Sequence, residues 1–136
     1  VIRAGKAVTS ELDEFEVRAM LRLDGPARYQ YFVKRVVDRE CAWSLWNNGW
    51  ALAGTDIGKQ VFLLWPFEQF AELGRGDQWS DFSPRAIPLD DLVDELLPKL
   101  DADDVLAGVF MTPSSRAVTP TARLLLDDLR SEIRRY

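Results

Sequence analysis

Three of the five tryptophans in the chain, Trp43, Trp46 and Trp50, lie within eight residues of one another around an Asn-Asn-Gly sequence. Indole rings grouped in this way either fill a core or form the contact surface of a binding site. The sequence predicts a β-hairpin here, because Asn48-Gly49 favours a tight turn with positive φ at both residues. The pairing of the two strands then decides which ring faces solvent.

Two pairings place the rings differently. With a two-residue turn, Asn47 opposes Trp50, and Trp46 is the one large side chain on its face. The other large residues then share a core face: Trp43, Leu45, Trp50 and Leu52. With a three-residue turn and Gly49 as a bulge, Trp46 opposes Trp50 and Trp43 points to the other face. We prefer the first pairing because it gathers the large residues. Trp46 is then either covered by a helix, the commoner arrangement, or exposed as an anchor for a partner.

The composition excludes several catalytic chemistries. The chain has no histidine, so it has no Ser-His-Asp triad, no Cys-His pair and no imidazole metal site. One cysteine forms neither an internal disulfide nor a zinc cluster. Cys41 begins an apolar strand pattern, so we expect it to be a small hydrophobic side chain in a reducing compartment. We predict no cofactor, no metal site and no catalytic residue.

Charge is concentrated in one segment. Residues 56–104 carry four basic and twelve acidic residues, a net charge of −8 in a chain of net charge −5. Such a segment repels phosphates, so nucleic acid is not an expected partner, whereas a basic protein would suit it. Asp90, Asp91 and Asp94, at the predicted start of a helix, are candidate contacts for that partner. A solvated helix start is nevertheless the commoner role of such acidic residues.

Two further acidic residues, Asp38 and Asp56, flank residues 41–55, which carry no charge. With Trp46 and Trp50 they could line a pocket for a small molecule or serve a carboxylate-based enzyme. A structural role at the ends of elements is the commoner alternative. Similarly, the segment 112–120 offers hydroxyls, Arg116 and a helix start that could hold an anion, although a turn followed by a helix cap explains it more simply.

The periodicity predicts elements in the order α-α-β-β-β-α-(β)-α-β-α. The helices are expected at 10–23, 26–39, 66–73, from 89 or 90 to a stop near Pro98, and after a cap at Thr119. The strands are expected at 42–47, 50–55, 60–65, briefly at 86–87, and at 105–111. Ser10 is the expected cap of the first helix. The buried face of that helix is expected to contain Leu12, Phe15, Ala19, Met20 and Leu23.

These elements indicate an α+β fold with a mixed, mostly antiparallel sheet of four or five strands, built around a central three-stranded meander and covered by helices. Residues 1–136 are expected to form one domain, with 1–9 as a flexible tail. The longest apolar runs are too short to span a bilayer, and the N-terminal sequence lacks the pattern of a signal peptide. We therefore expect a cytoplasmic protein that makes no membrane contact, as a monomer or homodimer.

Several motifs occur in a defined order. They are an aromatic helix ending at Asp38, then Trp43-x-Leu45, Gly49-Trp50-Ala51, Trp65-Pro66 and Phe70-Ala71. In this order and spacing they resemble the bacterial family catalogued as domain of unknown function 2750, over about residues 10–136. A more distant likeness connects the last strand, turn and helix to the enhanced-serine-sensitivity family. Neither family has an established catalytic residue, so the resemblance implies a fold class and no site.

The leading functional hypothesis is a non-catalytic bacterial module that binds an unidentified protein, in a regulatory or immunity-like role. Its motivation is the absence of histidine, the absence of a catalytic motif and the acidic segment 56–104. The alternative is a small-molecule-binding protein or a carboxylate-based enzyme, with a pocket near the hairpin of residues 43–56.

Overall fold

The computed structural model describes residues 13–136, which form five helices and five strands. The helices are α1 (Glu14–Leu21), α2 (Gly25–Arg39), α3 (Glu68–Arg75), α4 (continuous over 89–102) and α5 (Ala122–Ile133). The strands are β1 (Cys41–Trp46), β2 (Leu52–Gly54), β3 (Gln60–Leu64), β4 (Ser83–Pro88) and β5 (Leu106–Val109). This order confirms the predicted one. None of the helices in this part of the chain has the length and apolar character needed to cross a bilayer.

The strands divide between two open sheets. β1 pairs antiparallel with β4, while β3 pairs antiparallel with β2 and parallel with β5. The sheets meet where Trp43 and Trp65 exchange two backbone hydrogen bonds, with N–O distances of 2.9 and 2.8 Å. The mixed α+β class is confirmed. The expected three-stranded meander is wrong in its first half, because only β2 and β3 form a ladder and β1 turns instead to β4.

The turn after β1 contains three residues. Trp46 pairs with Trp50 at a single bridge, and the Asn47 N–H donates to the Gly49 carbonyl at 2.9 Å. Asn48 takes the left-handed conformation, with φ of 57°. The preferred two-residue pairing is therefore wrong, and Trp46 opposes Trp50 as in the alternative. The two indole rings pack edge to face with centroids 4.9 Å apart, a contact worth about 0.5–1.5 kcal/mol.

β3 lies at the centre of the core, as its apolar sequence predicts. Residues 61–65 are all at most 3% exposed, because helices and the loop after β5 cover the sheet. The Trp65 indole N–H donates to the Met111 carbonyl at 2.7 Å. α3 packs directly on this ring, since a Cβ at Gly74 would lie 2.7 Å from it. This close packing requires a glycine at position 74, within α3. The helix ends at Gly76, which has φ of 56°.

The two N-terminal helices begin at aspartates. The Asp24 side chain accepts from the Ala27 N–H at 2.9 Å, with Pro26 in the first turn of α2. α1 is capped by Asp13, while the expected cap Ser10 and the expected core residue Leu12 lie outside the described residues.

The expected buried face of α1 is wrong at Phe15, which is 81% exposed. The residues of α1 that pack against the core are Val17, Met20 and Leu21.

α4 continues through Pro98, so the predicted stop there is wrong. The residues before the proline, Leu92–Leu96, form a π-helical turn, and the Leu97 N–H bonds to the Leu92 carbonyl five residues earlier. Proline has no N–H, and its ring collides with the carbonyl four positions before it in a regular α-helix. The wider turn relieves that collision, and α4 ends at Ala102.

The last helix begins two residues later than predicted. Thr121, and not Thr119, is the cap, and its hydroxyl accepts from the Leu124 N–H at 3.1 Å. The physical reason is that the preceding chain remains extended along β5, where Val118 pairs with Val109 and Thr121 pairs with Leu106.

Candidate functional site

A cluster of two tryptophans and an arginine lies at one end of the β1–β4 sheet, and we call Trp46, Trp50 and Arg85 the aromatic face. Arg85 is opposite Ser44 in the β1–β4 ladder, which places its side chain on the same sheet face as that of Trp46. The Arg85 guanidinium lies 4.3 Å from the centroid of Trp46 and 5.7 Å from that of Trp50. Such a cation–π contact contributes about 0.5–1 kcal/mol at an exposed site.

The three clustered tryptophans differ in their packing. Trp43 and Trp50 pack against the core, and the Trp50 ring lies 5.5 Å from buried Phe62. Trp46 is half-buried and is not among the residues packed against the core. Its recorded ring contacts are the neighbouring ring of Trp50 and the exposed Arg85. The aromatic face is therefore attached to the core through Trp50 alone.

Beside the aromatic face, a concavity of about 380 Å³ lies between β4 and α4. Its charged residues on α4 are Asp91, Glu95 and Lys99, which share one side of the helix because they are spaced by four. Trp50 and Arg85 line the opposite wall. Lys99 pairs with Asp103 at 3.1 Å. Within residues 13–136, Arg85, Asp91 and Glu95 form no ion pair.

The structure brings three of the predicted site residues together, namely Trp46, Trp50 and Asp91. Asp90 and Asp94 are exposed on α4 but do not line the concavity. The residue that sequence reasoning missed is Arg85, whereas Glu95 belongs to the acidic segment 56–104 already considered as a contact surface. One signal in the sequence could have identified Arg85, because it is the single basic residue between positions 76 and 98, where the other charged residues are all acidic.

The other two predicted residues lie elsewhere. Asp38, at the end of α2, pairs with Arg35 at 3.2 Å and accepts from the Tyr136 hydroxyl at 3.3 Å. Asp56 lies in the β2–β3 turn and lines a separate concavity from that of Trp50. Within residues 13–136, Asp56 and Trp50 therefore line different concavities, and the structure does not bring Asp56 to the tryptophans.

That separate concavity, of about 570 Å³, crosses one face of the β2–β3–β5 sheet, and we call it the sheet groove. Its floor is apolar and includes Ala53, Val61, Leu63 and Leu106, which share a face by their register. Its charged side chains are Asp56, in the turn after β2, and Arg116, in the loop after β5.

The loop that carries Arg116 is held by a buried arginine on α2. Arg28 is 4% exposed, and it donates to three backbone carbonyls, those of Leu23 at 2.8 Å, Phe110 at 3.0 Å and Arg116 at 2.9 Å. Phe110, which begins the loop, takes the left-handed conformation with φ of 58°. Arg28 therefore fixes both ends of the loop 110–116.

The described residues contain no group of three or more Asp, Glu, Cys or His side chains able to hold a metal ion. Burial raises the pKa of the Cys41 thiol, although Arg39 and a hydrogen bond with Trp43 oppose this effect. The thiol is therefore protonated at neutral pH, which makes it a poor nucleophile.

Comparison with known proteins gives one match. The family model described as "Protein of unknown function (DUF2750)" matches residues 29–129, which confirms the resemblance expected from the sequence motifs. The matched region contains the aromatic face, α4 and the sheet groove. No curated protein and no solved structure matches the chain significantly.

Proposed function

We propose that this chain, which belongs to the DUF2750 family of proteins of unknown function, is a non-catalytic module that binds another protein through the aromatic face. The observation that supports it most is the position of Trp46. A large indole ring, stacked with Trp50 and Arg85 and not packed against the core, is available for contact. Tryptophan and arginine are the residues most enriched among those that dominate the energy of protein interfaces.

The charge beside the aromatic face favours a basic partner. Four acidic residues in the first two turns of α4 are exposed, namely Asp90, Asp91, Asp94 and Glu95. None of them forms an ion pair with another residue of the described range. Lysine and arginine side chains of a partner would find unpaired carboxylates there while an apolar group contacts Trp46. Attraction between exposed charges increases the association rate and weakens at high salt.

We place this module in the cytoplasm of a bacterium, with a regulatory or immunity-like role. A single half-buried cysteine with a protonated thiol suits a reducing compartment, and an adaptor role requires only a contact surface.

The test is affinity capture from a lysate of the source organism, with the complex measured by native mass spectrometry. We expect one protein in defined stoichiometry with the wild-type chain, released by high salt. Trp46→Ala and Arg85→Gln should lose it, because each removes part of the stacked cluster. The matched control is Leu124→Ala, which truncates a 52% exposed side chain on α5 and should retain the partner.

Two outcomes would overturn the proposal. One is capture of the same protein by wild type and Trp46→Ala alike, which would move the interface elsewhere. The other is turnover of a small molecule by the purified chain that disappears in Asp91→Asn or Glu95→Gln. That result would establish the carboxylate-based enzyme, because these two carboxylates line the concavity beside Trp50.

A further inference from the structure

We propose that the sheet groove binds a short apolar peptide with free ends, two or three residues long. Its ammonium group pairs with Asp56, its carboxylate pairs with Arg116, and its side chains lie against the accessible apolar residues of the groove, which include Ile57, Leu106 and Met111. This site is separate from the aromatic face and does not depend on the function proposed for it. Ligand sites in proteins are typically concave, largely apolar and equipped with a few placed polar groups, and the groove has each of these features.

The floor is formed by side chains that the sheet holds in place. Val61 and Leu63 are 3% and 1% exposed at the bottom of the groove. Their side chains pack over Gly108, which lies beside Leu63 in the ladder and on the same face of the sheet. A Cβ at Gly108 would lie 2.4 Å from the nearest methyl of Val61. The accessible apolar surface of the groove is therefore that of Ile57, which is 79% exposed, and of the half-buried Ala53, Leu106 and Met111.

The two charges lie at opposite ends and opposite edges of the groove. Asp56 is in the turn that leads into the first residue of β3, where Gly54 pairs with Gln60. Arg116 precedes Val118, which pairs with the last residue of β5. Both side chains are exposed, and neither forms an ion pair with another residue between 13 and 136.

This separation sets the length of the ligand. Along the strands, the four steps of β3 from Gln60 to Leu64, which lies beside Val109, span about 13 Å at 3.3 Å per residue, and each strand spacing across the sheet adds a sideways separation of about 4.8 Å. A single amino acid carries both charges on one carbon, so it cannot reach both ends. An extended peptide adds about 3.3–3.6 Å per residue, and the side chains of Asp56 and Arg116 cover part of the distance. Two or three residues therefore fit.

Both ends of the groove are held rigidly before any ligand binds. At the Arg116 end, the buried Arg28 bonds to the Arg116 carbonyl, and the Trp65 indole bonds to the carbonyl of Met111. At the Asp56 end, the Thr55 hydroxyl accepts from the Lys59 N–H at 3.1 Å, and the Lys59 ammonium pairs with Asp104 at 2.6 Å. A preformed site avoids much of the entropy cost of ordering loops on binding.

The experiment is isothermal titration of the full chain with the dipeptide L-leucyl-L-valine and the tripeptide L-leucyl-L-valyl-L-leucine. The matched ligands are the N-acetyl and C-terminal amide forms of each, which lack one charge and keep the apolar body. We expect at least one free peptide to bind with Kd below about 1 mM. Each blocked form should bind about tenfold more weakly or worse, because a charge-assisted hydrogen bond is lost.

Variants assign each charge to its partner. Asp56→Asn should weaken the free peptide about tenfold and leave the N-acetyl form unchanged, since that form has no ammonium to pair. Arg116→Gln should weaken the free peptide about tenfold and leave the C-terminal amide form unchanged, since that form has no carboxylate to pair. Asp81→Asn, an exposed carboxylate that does not line the groove, is the control and should bind like wild type. Circular dichroism confirms that each variant is folded.

Three results would overturn the proposal. They are no heat of binding for any free peptide at millimolar concentration, equal binding of free and blocked peptides, and binding that neither Asp56→Asn nor Arg116→Gln changes. Equal binding of free L-leucine and the dipeptide would also contradict it, because the ligand would then not span the two charges.

Discussion

The aromatic face and the sheet groove are supported in opposite ways. Trp46 and Arg85 stack on one another at the surface, and only Trp50 connects them to the core. The rim of the groove is instead tied by the buried guanidinium of Arg28 and by the Trp65 indole. Substitution at the aromatic face should therefore change binding at little cost in stability. Substitution beneath the groove should change stability first.

The largest effect is expected for Arg28→Met. This change removes three hydrogen bonds from a charged donor and leaves the carbonyls of Phe110 and Arg116 without that partner in a buried region. Hydrogen bonds to charged groups are each worth about 1.5–3 kcal/mol, so the loss of three should lower the free energy of unfolding by about 4.5 kcal/mol or more. Urea denaturation measures it. Arg123→Met, on the exposed surface of α5, is the control, and an equal loss there would remove the contrast between buried and surface support.

The next largest effect is expected for Gly108→Ala. The added Cβ would lie 2.4 Å from a methyl of Val61, a β-branched side chain that cannot easily move aside. Overpacking of this kind costs about 1–3 kcal/mol. Gly54→Ala, where the nearest atom is 4.0 Å away, should be nearly neutral. Thermal unfolding of both variants makes the comparison, and a neutral Gly108→Ala would show that the floor of the groove is loosely packed.

A smaller effect on stability is expected for Trp46→Ala, in spite of the size of the side chain. The ring loses its edge-to-face contact and its cation–π contact, together about 1–2 kcal/mol, in addition to the apolar area that the half-buried ring covers. Truncation of a large aromatic residue in a core costs about 3–5 kcal/mol, so Trp65→Ala, which removes a fully buried ring, is the matched comparison. Equal losses for the two variants in urea would place Trp46 in the core and remove the basis for a contact surface.

The smallest effect should depend on pH. The Tyr29 hydroxyl donates to Asp128 at 2.5 Å, which ties α2, the helix that carries Arg28, to α5. Burial raises the Tyr29 pKa, and Asp128 raises it further. The contribution of this phenol to stability is therefore complete below its usual pKa of about 10 and is lost as the pH rises above it.

Tyr29→Phe tests this effect. The variant should lose about 1 kcal/mol at neutral pH, the value of one hydrogen bond. Its free energy of unfolding should then decline less steeply than that of wild type as the pH rises above about 10. If the free energy of unfolding changed with pH in the same way for both proteins, burial and the hydrogen bond to Asp128 would not raise the pKa of Tyr29 in the folded state.

The elements that could be predicted are those whose signals are local. The apolar run of β3 and the Asp24–Pro26 start of α2 depend on neighbouring residues alone. What was missed depends on contacts distant in sequence. β4 contains two prolines and was expected only at 86–87, but its partner β1 extends it over Ser83–Pro88. Trp46 and Trp50 select a turn by stacking, which the turn sequence alone did not show.

The candidate sites show the same limit. Trp46, Trp50 and Asp91 could be proposed from residue type and position, and the structure places them together. The role of Arg28 could not be predicted from the sequence, because a single arginine on an amphipathic helix is expected to face solvent. Its three carbonyl partners come from residues 23, 110 and 116, and 110 and 116 lie more than eighty positions away.

The most direct test of the proposed protein-binding function is site-specific photo-crosslinking in cells of the source organism. A photoreactive residue at Ser83, which is exposed and opposite Trp46 in the ladder, should give one crosslinked protein, and Trp46→Ala should abolish it. The same residue at Ser131 on α5 should give none. Crosslinks of equal yield from both positions, or crosslinks at Ser83 only to a second copy of this chain, would contradict a partner protein at the aromatic face.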